Sequence, residues 1–589
     1  MIVMLEEKLS FFINESKKLK ESDFEKSTRI AVIGSFTLNG LAETLQVKCA
    51  KSNIFSHIFS GGYNRYNEEI LNSNSGLYSF NPEICFLILD TRTILEDLFY
   101  STYDVSENDR RIFVNKKFEE ISNLIKFYTN KSKSKIIFSN FVPPTYSSYG
   151  IFESKIEYGL QEMINDLNQK LSNEFKNDSL AFMFNFNGFV TNHGLNSIFD
   201  YRQYYLGDVK ISLEKIPYLA NELMGYVKPI LGINKKCIVL DLDNTLWGGI
   251  IGEDGFNGIK LGHNDPIGKS FIEFQKHLLS LHKRGIILAV NSKNNYEDAM
   301  KVIKEHPNMI LREENFACLK INWNDKSANL REISQEVNIG LDSMVFFDDD
   351  KVNRDFIISV LPEVLTVDMP KDPSQYVPTL LELTDFNVLK ITEEDKTRGK
   401  MYREQRKRTE LEKSTNDFDE YLKQLNIKLF IKNANEFTIP RISQLTLKTN
   451  QFNLTTKRYQ EEDIRNFSQD DKKIIGCARV EDKFGDNGIT GVFIIDKINN
   501  KEWIIDTFLL SCRIIGRGIE QGIINYIISL AKKENVSKLI ANFVPTKKNQ
   551  PAENFLPSFG FEKLNDQWVY QIENHIDSTT SHLDISKEE

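Results

Sequence analysis

Short apolar runs separated by amphipathic stretches recur along the chain, and most of them end in small or polar residues. In the first third, the runs RIAVIGSF from Arg29, ICFLILD from Ile84 and KIIFSNF from Lys135 predict buried strands with helices between them. The middle third repeats this pattern in KKCIVLDLDNTLW, IILAVNS and SMVFFDDD, and the last third in GVFIIDKI, WIIDTFLLS and KLIANFVPT. Alternating strands and helices of this kind predict an α/β fold class with more than one sheet.

The domain organisation follows from length and from breaks in the pattern. A chain of 589 residues is too long for one hydrophobic core. The pattern predicts an α/β domain over 1–230, a second over 231–385 and an α+β domain over 421–572. Residues 386–420 form a charged stretch typical of a linker or a solvated helix, and the polar residues 573–589 predict a disordered tail.

Composition narrows the class of protein. Hydrophobic residues make up 41% of the chain and charged residues 27%, which excludes collagen-like, mucin-like and wholly disordered classes. The net charge of −9 gives no global field that attracts nucleic acid or anionic lipid, and the basic cluster from Arg403 to Arg408 is interleaved with glutamates. Six cysteines without CxxC spacing, no signal peptide and no long apolar run predict a cytoplasmic protein outside the membrane.

Two carboxylates, Asp241 and Asp243, come directly after the apolar run Cys237 to Leu240. At a strand end, one carboxylate beside Mg²⁺ can attack phosphorus to give an aspartyl-phosphate. The second can protonate the leaving oxygen and later activate water. A calcium loop, or a strand end with solvated acids, is the alternative reading of this motif alone.

Further signals follow in a fixed order. Ser292 ends the next strand, where its hydroxyl can donate to a phosphoryl oxygen, and Lys326 can neutralise the charge on transferring oxygens. Asp348 and Asp349 follow the strand VFF and can complete an all-oxygen Mg²⁺ site. Only about 40 residues separate the first motif from the next strand and about 30 separate Ser292 from Lys326, too few for a large cap domain. This motif order resembles that of the haloacid dehalogenase (HAD) superfamily.

The segments DLDNTLWGGIIGEDG, HPNMILR, INWNDK and VFFDDD resemble the FkbH-like branch of that superfamily. The resemblance implies Asp241 as nucleophile and Mg²⁺ ligand, Asp243 as acid/base with its backbone carbonyl on the metal, and Ser292 and Lys326 as phosphoryl-binding residues. Asp349, with Asp348 beside it, would close the metal site. Family members often carry Cys before the serine, whereas this chain has Asn291.

A glycine-rich turn follows the strand WIIDTFLLS and opens the helix IEQGIINYIISLAKK. The RxxGxG pattern formed by Arg513, Gly516 and Gly518 resembles the acyl-CoA signature of the GNAT acetyltransferase fold, in which backbone N–H groups bind a pyrophosphate. A thiol at this helix start beside Arg513 favours the thiolate form, so Cys512 is a candidate acyl carrier. A partly buried, inert cysteine is the alternative.

In the N-terminal domain, GSFTLN and SNF resemble the first and third blocks of SGNH-type hydrolases, and Ser35 lies where their nucleophile lies. The expected Asp-x-x-His is absent, and the nearest candidates are Asp200 and the isolated His193. A recognition role is therefore favoured over hydrolysis.

The FkbH-like resemblance implies a bifunctional enzyme. Such an enzyme takes the phosphoglyceryl group of 1,3-bisphosphoglycerate, removes the phosphate, and loads glyceryl onto the phosphopantetheine arm of an acyl carrier protein for polyketide-type biosynthesis. Three alternatives remain: a Mg²⁺ phosphatase that transfers nothing, an acyltransferase that uses acyl-CoA, and a non-enzymatic scaffold.

Overall fold

The computed structural model describes residues 8–391, 404, 407–408, 411–412, 414–415, 417–546, 549–565, 567–574 and 582–587. These residues fall into two compact units, one up to Lys228 and one from Pro229 onward. Among the described helices, none is both long enough and apolar enough to cross a membrane.

The first unit contains a five-stranded parallel sheet with strand order β2-β1-β3-β4-β5. Its strands are β1 (Ser27–Gly34), β2 (Phe55–Ser60), β3 (Ile84–Ile88), β4 (Lys135–Ser139) and β5 (Ala181–Phe184). Its helices are α1 (Leu9–Ser16), α2 (Leu41–Lys51), α3 (Tyr66–Leu71), α4 (Gly76–Phe80), α5 (Thr91–Leu95), α6 (Leu98–Ser101), α7 (Glu107–Lys131), α8 (Leu160–Phe175), α9 (Phe186–His193), α10 (Leu195–Ile198), α11 (Tyr201–Gly207) and α12 (Ile216–Ile230). The central strands β3 and β4 are buried along their whole length, as expected for a parallel sheet covered on both faces.

The second unit begins with another five-stranded parallel sheet, with strand order β10-β9-β6-β7-β8. Its strands are β6 (Cys237–Leu240), β7 (Ile287–Ser292), β8 (Phe316–Ile321), β9 (Met344–Phe347) and β10 (Leu365–Thr366). Its helices are α13 (Ile251–Gly258), α14 (Pro266–Lys283), α15 (Tyr296–Glu305), α16 (Lys326–Glu336), α17 (Lys351–Val360) and α18 (Tyr376–Leu381). Alternate residues of β6 enter two separate apolar clusters, so the sheet carries a packed core on each face.

A larger, mostly antiparallel sheet follows, with strand order β17-β18-β16-β15-β14-β13-β11-β19 and β12 beside β15. Its strands are β11 (Ile427–Asn433), β12 (Phe452–Asn453), β13 (Lys473–Asp482), β14 (Gly485–Asn499), β15 (Glu502–Leu510), β16 (Lys538–Ala541), β17 (Glu562–Leu564), β18 (Gln567–Gln571) and β19 (Leu583–Lys587). Its helices are α19 (Phe418–Leu425), α20 (Ile439–Lys448), α21 (Glu461–Ser468), α22 (Ile519–Lys533) and α23 (Phe555–Ser558).

The C-terminal tail departs from the prediction. Residues 573–589 were expected to be disordered, yet Leu583–Lys587 form β19, which pairs in parallel with β11. Leu583 and Ile585 lie against Gly522 of α22, so alternate side chains of this polar segment still find an apolar surface. The prediction is therefore wrong for this strand. Most of the charged segment 386–420 lies outside the described residues.

One residue of the predicted linker is fully buried. Arg408 makes a bidentate ion pair with Asp482, with Nε 2.6 Å from Oδ2 and Nη2 2.8 Å from Oδ1, and both side chains are 0% exposed. Arg517 lies 3.5 Å from the same carboxylate. This end of the basic cluster therefore holds the C-terminal domain together and is not part of a basic surface.

We expect Arg408→Ala to destabilise the C-terminal domain by about 3–5 kcal/mol, because removing one partner leaves the buried carboxylate of Asp482 poorly compensated. Hydrogen exchange of the β13 amides measures the stability of this domain directly. The exposed neighbour Lys407 supplies the control, since Lys407→Ala should change the same exchange by less than about 0.5 kcal/mol. Equal protection in the two variants would contradict the prediction.

Candidate active site

Three carboxylates converge at the carboxyl ends of β6 and β9, which are neighbours in the central sheet. Asp241 follows β6, and Asp348 and Asp349 follow β9. One ligand oxygen from each of the three lies within 4.8 Å of the others. An all-oxygen set of carboxylates fits a hard divalent cation such as Mg²⁺. These residues would hold the ion, together with the backbone carbonyl implied for Asp243.

The buried ammonium of Lys326 joins two of these carboxylates. Its Nζ lies 2.8 Å from Oδ2 of Asp241 and 2.5 Å from Oδ2 of Asp348. Burial alone would lower the pKa of Lys326, but the two carboxylates raise it above its ordinary value, so the group stays charged. Lys326 is the first residue of α16, and the Asp325 side chain caps this helix.

The charge of Asp241 contributes to raising the pKa of both Asp348 and Asp349. Burial, followed by the charge of Asp241, raises the pKa of Asp348. Burial and the charges of Asp241 and Asp348 raise the pKa of Asp349 to about 6. The cluster therefore holds more negative charge than Lys326 alone offsets, which is the electrostatic condition for a cation site.

Asp243 is fixed by three donors at the mouth of the site. Its Oδ1 accepts from Trp247 Nε1 at 2.8 Å and from the Ile251 N–H at 3.2 Å. Its Oδ2 accepts from Asn294 Nδ2 at 2.9 Å. Burial raises the pKa of Asp243, which favours a group that delivers and recovers a proton.

Asn291 and Ser292 are the last two residues of β7, which pairs with β6. Leu240 pairs with Val290, so the residues that follow each of them reach the same edge of the sheet. Ser292 is 1% exposed. Asn291 is also buried, and its Nδ2 donates to the backbone carbonyl of Lys326 at 2.9 Å. The residue that replaces the family's cysteine thus supports the start of α16.

Several residues that orient the acids of this site were not predicted from the sequence. Arg354 donates to the backbone carbonyls of Asp348 and Asp349 at 2.9 and 2.7 Å and so fixes the turn after β9. Trp247 and Asn294, described above, orient Asp243. The only sequence feature that could have indicated Asn294 is its position in the polar stretch directly after Ser292. No sequence pattern indicates that an arginine inside a helix donates to backbone carbonyls, as Arg354 does.

The predicted absence of a large cap is confirmed. Between β6 and β7 the chain forms only α13 and α14, and between β7 and β8 only α15 and the short 3₁₀ turn Glu313–Asn315. The site is therefore covered by a small flap after Asp243, in which Asn244 and Gly249 adopt positive φ angles of 53° and 92°.

The glycine-rich turn of the C-terminal domain lies where the sequence predicts it, between β15 and α22. Gly516 and Gly518 have φ angles of 80° and 79°, which favour glycine at both positions. Arg513 is buried, and its Nε donates to Ser511 Oγ at 3.3 Å.

Cys512 faces the central domain. Its Sγ donates to the backbone carbonyl of Asn338 at 2.9 Å, and the Asn338 side chain donates to the carbonyl of Cys512. Asn338 lies twelve residues beyond Lys326, near the far end of α16, so at 1.5 Å per residue Cys512 is about 18 Å from the phosphoryl site.

Ser35 of the N-terminal domain is not an open nucleophile. It follows β1, is 0% exposed, and its Oγ accepts from the Asp90 N–H at 2.9 Å. Lys210 donates to Asp90 Oδ2 at 2.8 Å and packs beside this point. His193 lies elsewhere, between the rings of Phe189 and Tyr218.

Residues 29–228 match the family model described as FkbH, N-terminal domain. The chain is also similar to the crystal structure of the N-terminal part of the protein BF1531 from Bacteroides fragilis, containing a phosphatase domain and complexed with Mg. Their sequences are 28% identical with a TM-score of 0.60, and the match covers 65% of this chain and 100% of that one. Residues 29–228 are therefore similar to the FkbH N-terminal domain family. The predicted resemblance is thereby confirmed.

Two acetyltransferase structures also match part of the chain. The ribosomal-protein-S18-alanine N-acetyltransferase from Escherichia coli is 11% identical, with a TM-score of 0.21, covering 26% of this chain and 98% of that one. An acetyltransferase of the GNAT family from Staphylococcus aureus MU50 is 12% identical, with a TM-score of 0.20, covering 24% and 99%. No curated protein sequence matches the chain. The predicted α/β fold class with more than one sheet is confirmed by the strand order of the three sheets. The SGNH-like, HAD-like and GNAT-like assignments of the individual domains stay predictions. The roles of the individual site residues stay predictions.

Mg²⁺ should stabilise the protein, and Asp349→Asn should weaken Mg²⁺ binding by roughly tenfold or more, because it removes a ligand charge. Isothermal titration calorimetry measures the affinity. Asp350→Asn is the matched control, because the Asp350 side chain caps α17 and is not one of the three clustered carboxylates. Equal losses of affinity in the two variants would contradict the assignment.

The gain in melting temperature on adding Mg²⁺ should be larger at pH 7.5 than at pH 5.5. With the pKa of Asp349 raised to about 6, the metal-free protein holds a proton there at the lower pH, which a cation must displace. At the higher pH the ionised carboxylate destabilises the metal-free fold and Mg²⁺ relieves that repulsion. A gain that does not change with pH would argue against Asp349 as a ligand.

Proposed function

We propose that the central domain is a Mg²⁺-dependent phosphatase. The observation that carries this proposal is the contact of Lys326 with both Asp241 and Asp348 inside a three-carboxylate cluster. This arrangement joins a nucleophilic carboxylate, a phosphate-binding cation and a site for a divalent ion. The similarity to the Bacteroides fragilis structure, which contains a phosphatase domain complexed with Mg, supports it.

Each residue has a defined step in this reaction. Asp241 attacks phosphorus through a carboxylate oxygen while the bond from phosphorus to the leaving oxygen breaks, and Asp243 gives that oxygen its proton. Asp243 then takes a proton from the water that hydrolyses the aspartyl-phosphate. Lys326 and Ser292 bind the transferring oxygens. When bound, Mg²⁺ offsets negative charge and orients the phosphoryl group.

The substrate we propose is the phosphoglyceryl group derived from 1,3-bisphosphoglycerate, with an acyl carrier protein as the acceptor of glyceryl. Support comes from the FkbH-like resemblance and from the uncapped site, because an open site suits a phosphoryl group presented on a macromolecule. The separation of about 18 Å between Lys326 and Cys512 also favours a group carried on a flexible arm between two sites.

An acyltransferase that uses acyl-CoA is the second candidate. The positive φ angles of Gly516 and Gly518, ahead of the start of α22, favour a pyrophosphate-binding turn. Acyl-CoA-dependent turnover without phosphate release would distinguish this activity.

We expect Asp241→Asn to abolish phosphate release, with a loss of about 10³-fold or more, since the nucleophile is removed while the side-chain volume is kept. The test is intact-protein mass spectrometry after incubation with Mg²⁺, enzymatically generated 1,3-bisphosphoglycerate and a holo acyl carrier protein. The wild type should give a carrier with a glyceryl adduct, and Asp241→Asn should give at most a phosphoglyceryl adduct.

Two further variants separate the alternatives. Asp350→Asn should behave like the wild type, because its side chain caps α17. Cys512→Ala reports whether this thiol carries the acyl group. If it does, the variant no longer loads the carrier but still hydrolyses p-nitrophenyl phosphate. A wild type that releases phosphate from simple phosphoesters but never changes the mass of the carrier would leave only the phosphatase.

A further inference from the structure

A polar cluster on β15 lies outside the phosphoryl site and the glycine-rich turn. From Trp503 to Leu510 this strand carries a single charged residue, Asp506, which is buried among apolar neighbours. The pairing register with β14 shifts there, because Thr507 pairs with Ile494 and Ile505 with Ile495. Asp506 is therefore the extra residue of a β-bulge, a feature that re-aims a side chain and is frequent at active sites.

Three side chains converge on the Asp506 carboxylate. Oδ2 accepts from the Tyr459 hydroxyl at 2.7 Å and from Thr507 Oγ1 at 2.9 Å, and Oδ1 contacts the Lys457 ammonium. The Lys457 side chain is 51% exposed, whereas that of Asp506 is 7% exposed. The cluster therefore presents a cation at the surface, above a buried carboxylate and a phenol. Burial and the bond to Asp506 raise the pKa of Tyr459, so its hydroxyl keeps its proton.

The backbone that positions Lys457 is strained and firmly anchored. Thr456 has a φ of 53°, and among the described residues it is the only β-branched one with a positive φ. A β-branched residue rarely adopts this backbone conformation, and it persists there only where its surroundings impose it. Here Asn453 Oδ1 accepts from the Thr456 N–H at 2.9 Å, and Asn549 donates to the Asn453 carbonyl at 3.0 Å. Strain held in this way is typical of functional sites.

The cluster lies where two neighbouring strands separate. Pairing of β15 with β16 ends at Ile505 and Ala541, and further along the same strand β12 pairs with Leu509 and Leu510. Thr455 Oγ1 donates to the Asp506 carbonyl at 2.9 Å, so the segment between β12 and α21 crosses the strand at this point. This segment therefore holds Lys457 beside Asp506 at the point where β15 no longer pairs with β16.

We propose that Lys457, Tyr459 and Asp506 form the acyl-transfer centre of the C-terminal domain, where a pantetheine-type thiol takes the acyl group of an acyl phosphate. This inference rests on the proposed function, because the donor and acceptor are those of glyceryl loading. It assigns that step to residues other than Cys512 and the glycine-rich turn.

The chemistry balances within this cluster. The thiol proton moves to the Tyr459 oxygen while the Tyr459 proton moves to Asp506, and the sulfur forms a bond to the carbonyl carbon. The Lys457 ammonium lies beside the resulting oxyanion. The intermediate then collapses, the bond from carbon to the phosphate oxygen breaks, and the departing phosphate takes a proton from Tyr459 as Asp506 returns its own.

The test compares loading of a holo acyl carrier protein in the wild type, Lys457→Met and Tyr459→Phe, with 1,3-bisphosphoglycerate and Mg²⁺. Loading is followed by the mass of the carrier, and hydrolysis of p-nitrophenyl phosphate reports the central domain independently. We expect loading to fall by about 10²-fold or more in each variant, with p-nitrophenyl phosphate hydrolysis unchanged. Asp506→Asn should behave likewise, and the half-exposed Lys457 keeps the test decisive if that buried change prevents folding.

The matched control is Glu502→Gln. Glu502 of β15 also pairs with a lysine, Lys538 of β16, at 3.2 Å in the same sheet. It should load the carrier at the wild-type rate. If the wild type loads the carrier and the Lys457 and Tyr459 variants load it equally fast, the acyl-transfer centre is wrong, whereas the proposed function is unaffected. If the wild type hydrolyses p-nitrophenyl phosphate but loads no carrier, the proposed glyceryl loading fails, and this inference fails with it.

Discussion

Repulsion among buried carboxylates is the constraint on which the central domain depends. Asp241, Asp348 and Asp349 are brought together by the pairing of β6 with β9, and burial strengthens their mutual repulsion. One ammonium, that of Lys326, lies between two of them. The fold places this lysine at the first turn of α16, where Asp325 and Asn291 hold the backbone that carries it. The remaining negative charge is what makes the site a cation site.

Donors from neighbouring elements orient the acids around the cluster. Trp247, Asn294 and the Ile251 N–H donate to Asp243, and Arg354 donates to the backbone carbonyls of Asp348 and Asp349. None of these bonds uses a side-chain oxygen of the three clustered carboxylates. Support of this kind fixes the geometry of a site before any ligand is present.

The residues of the central site were predictable from the sequence because they follow apolar strands directly. Asp241, Ser292 and Asp348 each end a buried run, and parallel strands bring such ends to one edge of a sheet. Arg354 was not predictable, since its target is a backbone carbonyl that no sequence pattern identifies. The strand β19 was not predicted because its segment is polar overall, and only its alternate residues contact an apolar surface. Asp506 was missed for the opposite reason, because the strand around it reads as uniformly apolar core.

Arg408 and Asp506 illustrate a shared physical point about charge in an apolar environment. A buried charge persists only with compensating partners, so each marks a place where the fold accepts a desolvation penalty. For Arg408 the partner is the equally buried Asp482, and the pair ties the end of a charged segment to β13. For Asp506 the cationic partner is the half-exposed Lys457, whose ammonium remains accessible to a ligand.

The distances between chemical groups set the kind of substrate that can use them together. The helix α16 separates Lys326 from Asn338, and hence from Cys512, by about 18 Å. Asp506 lies six residues before Cys512 on a strand that is extended up to Leu510, so these two residues are separated by roughly 15–20 Å. A small metabolite bound beside Cys512 cannot reach Lys326 or Asp506. A reaction sequence that used Cys512 together with either of them would therefore require release and rebinding or a group tethered to a long arm, and the tether avoids losing the intermediate to solvent.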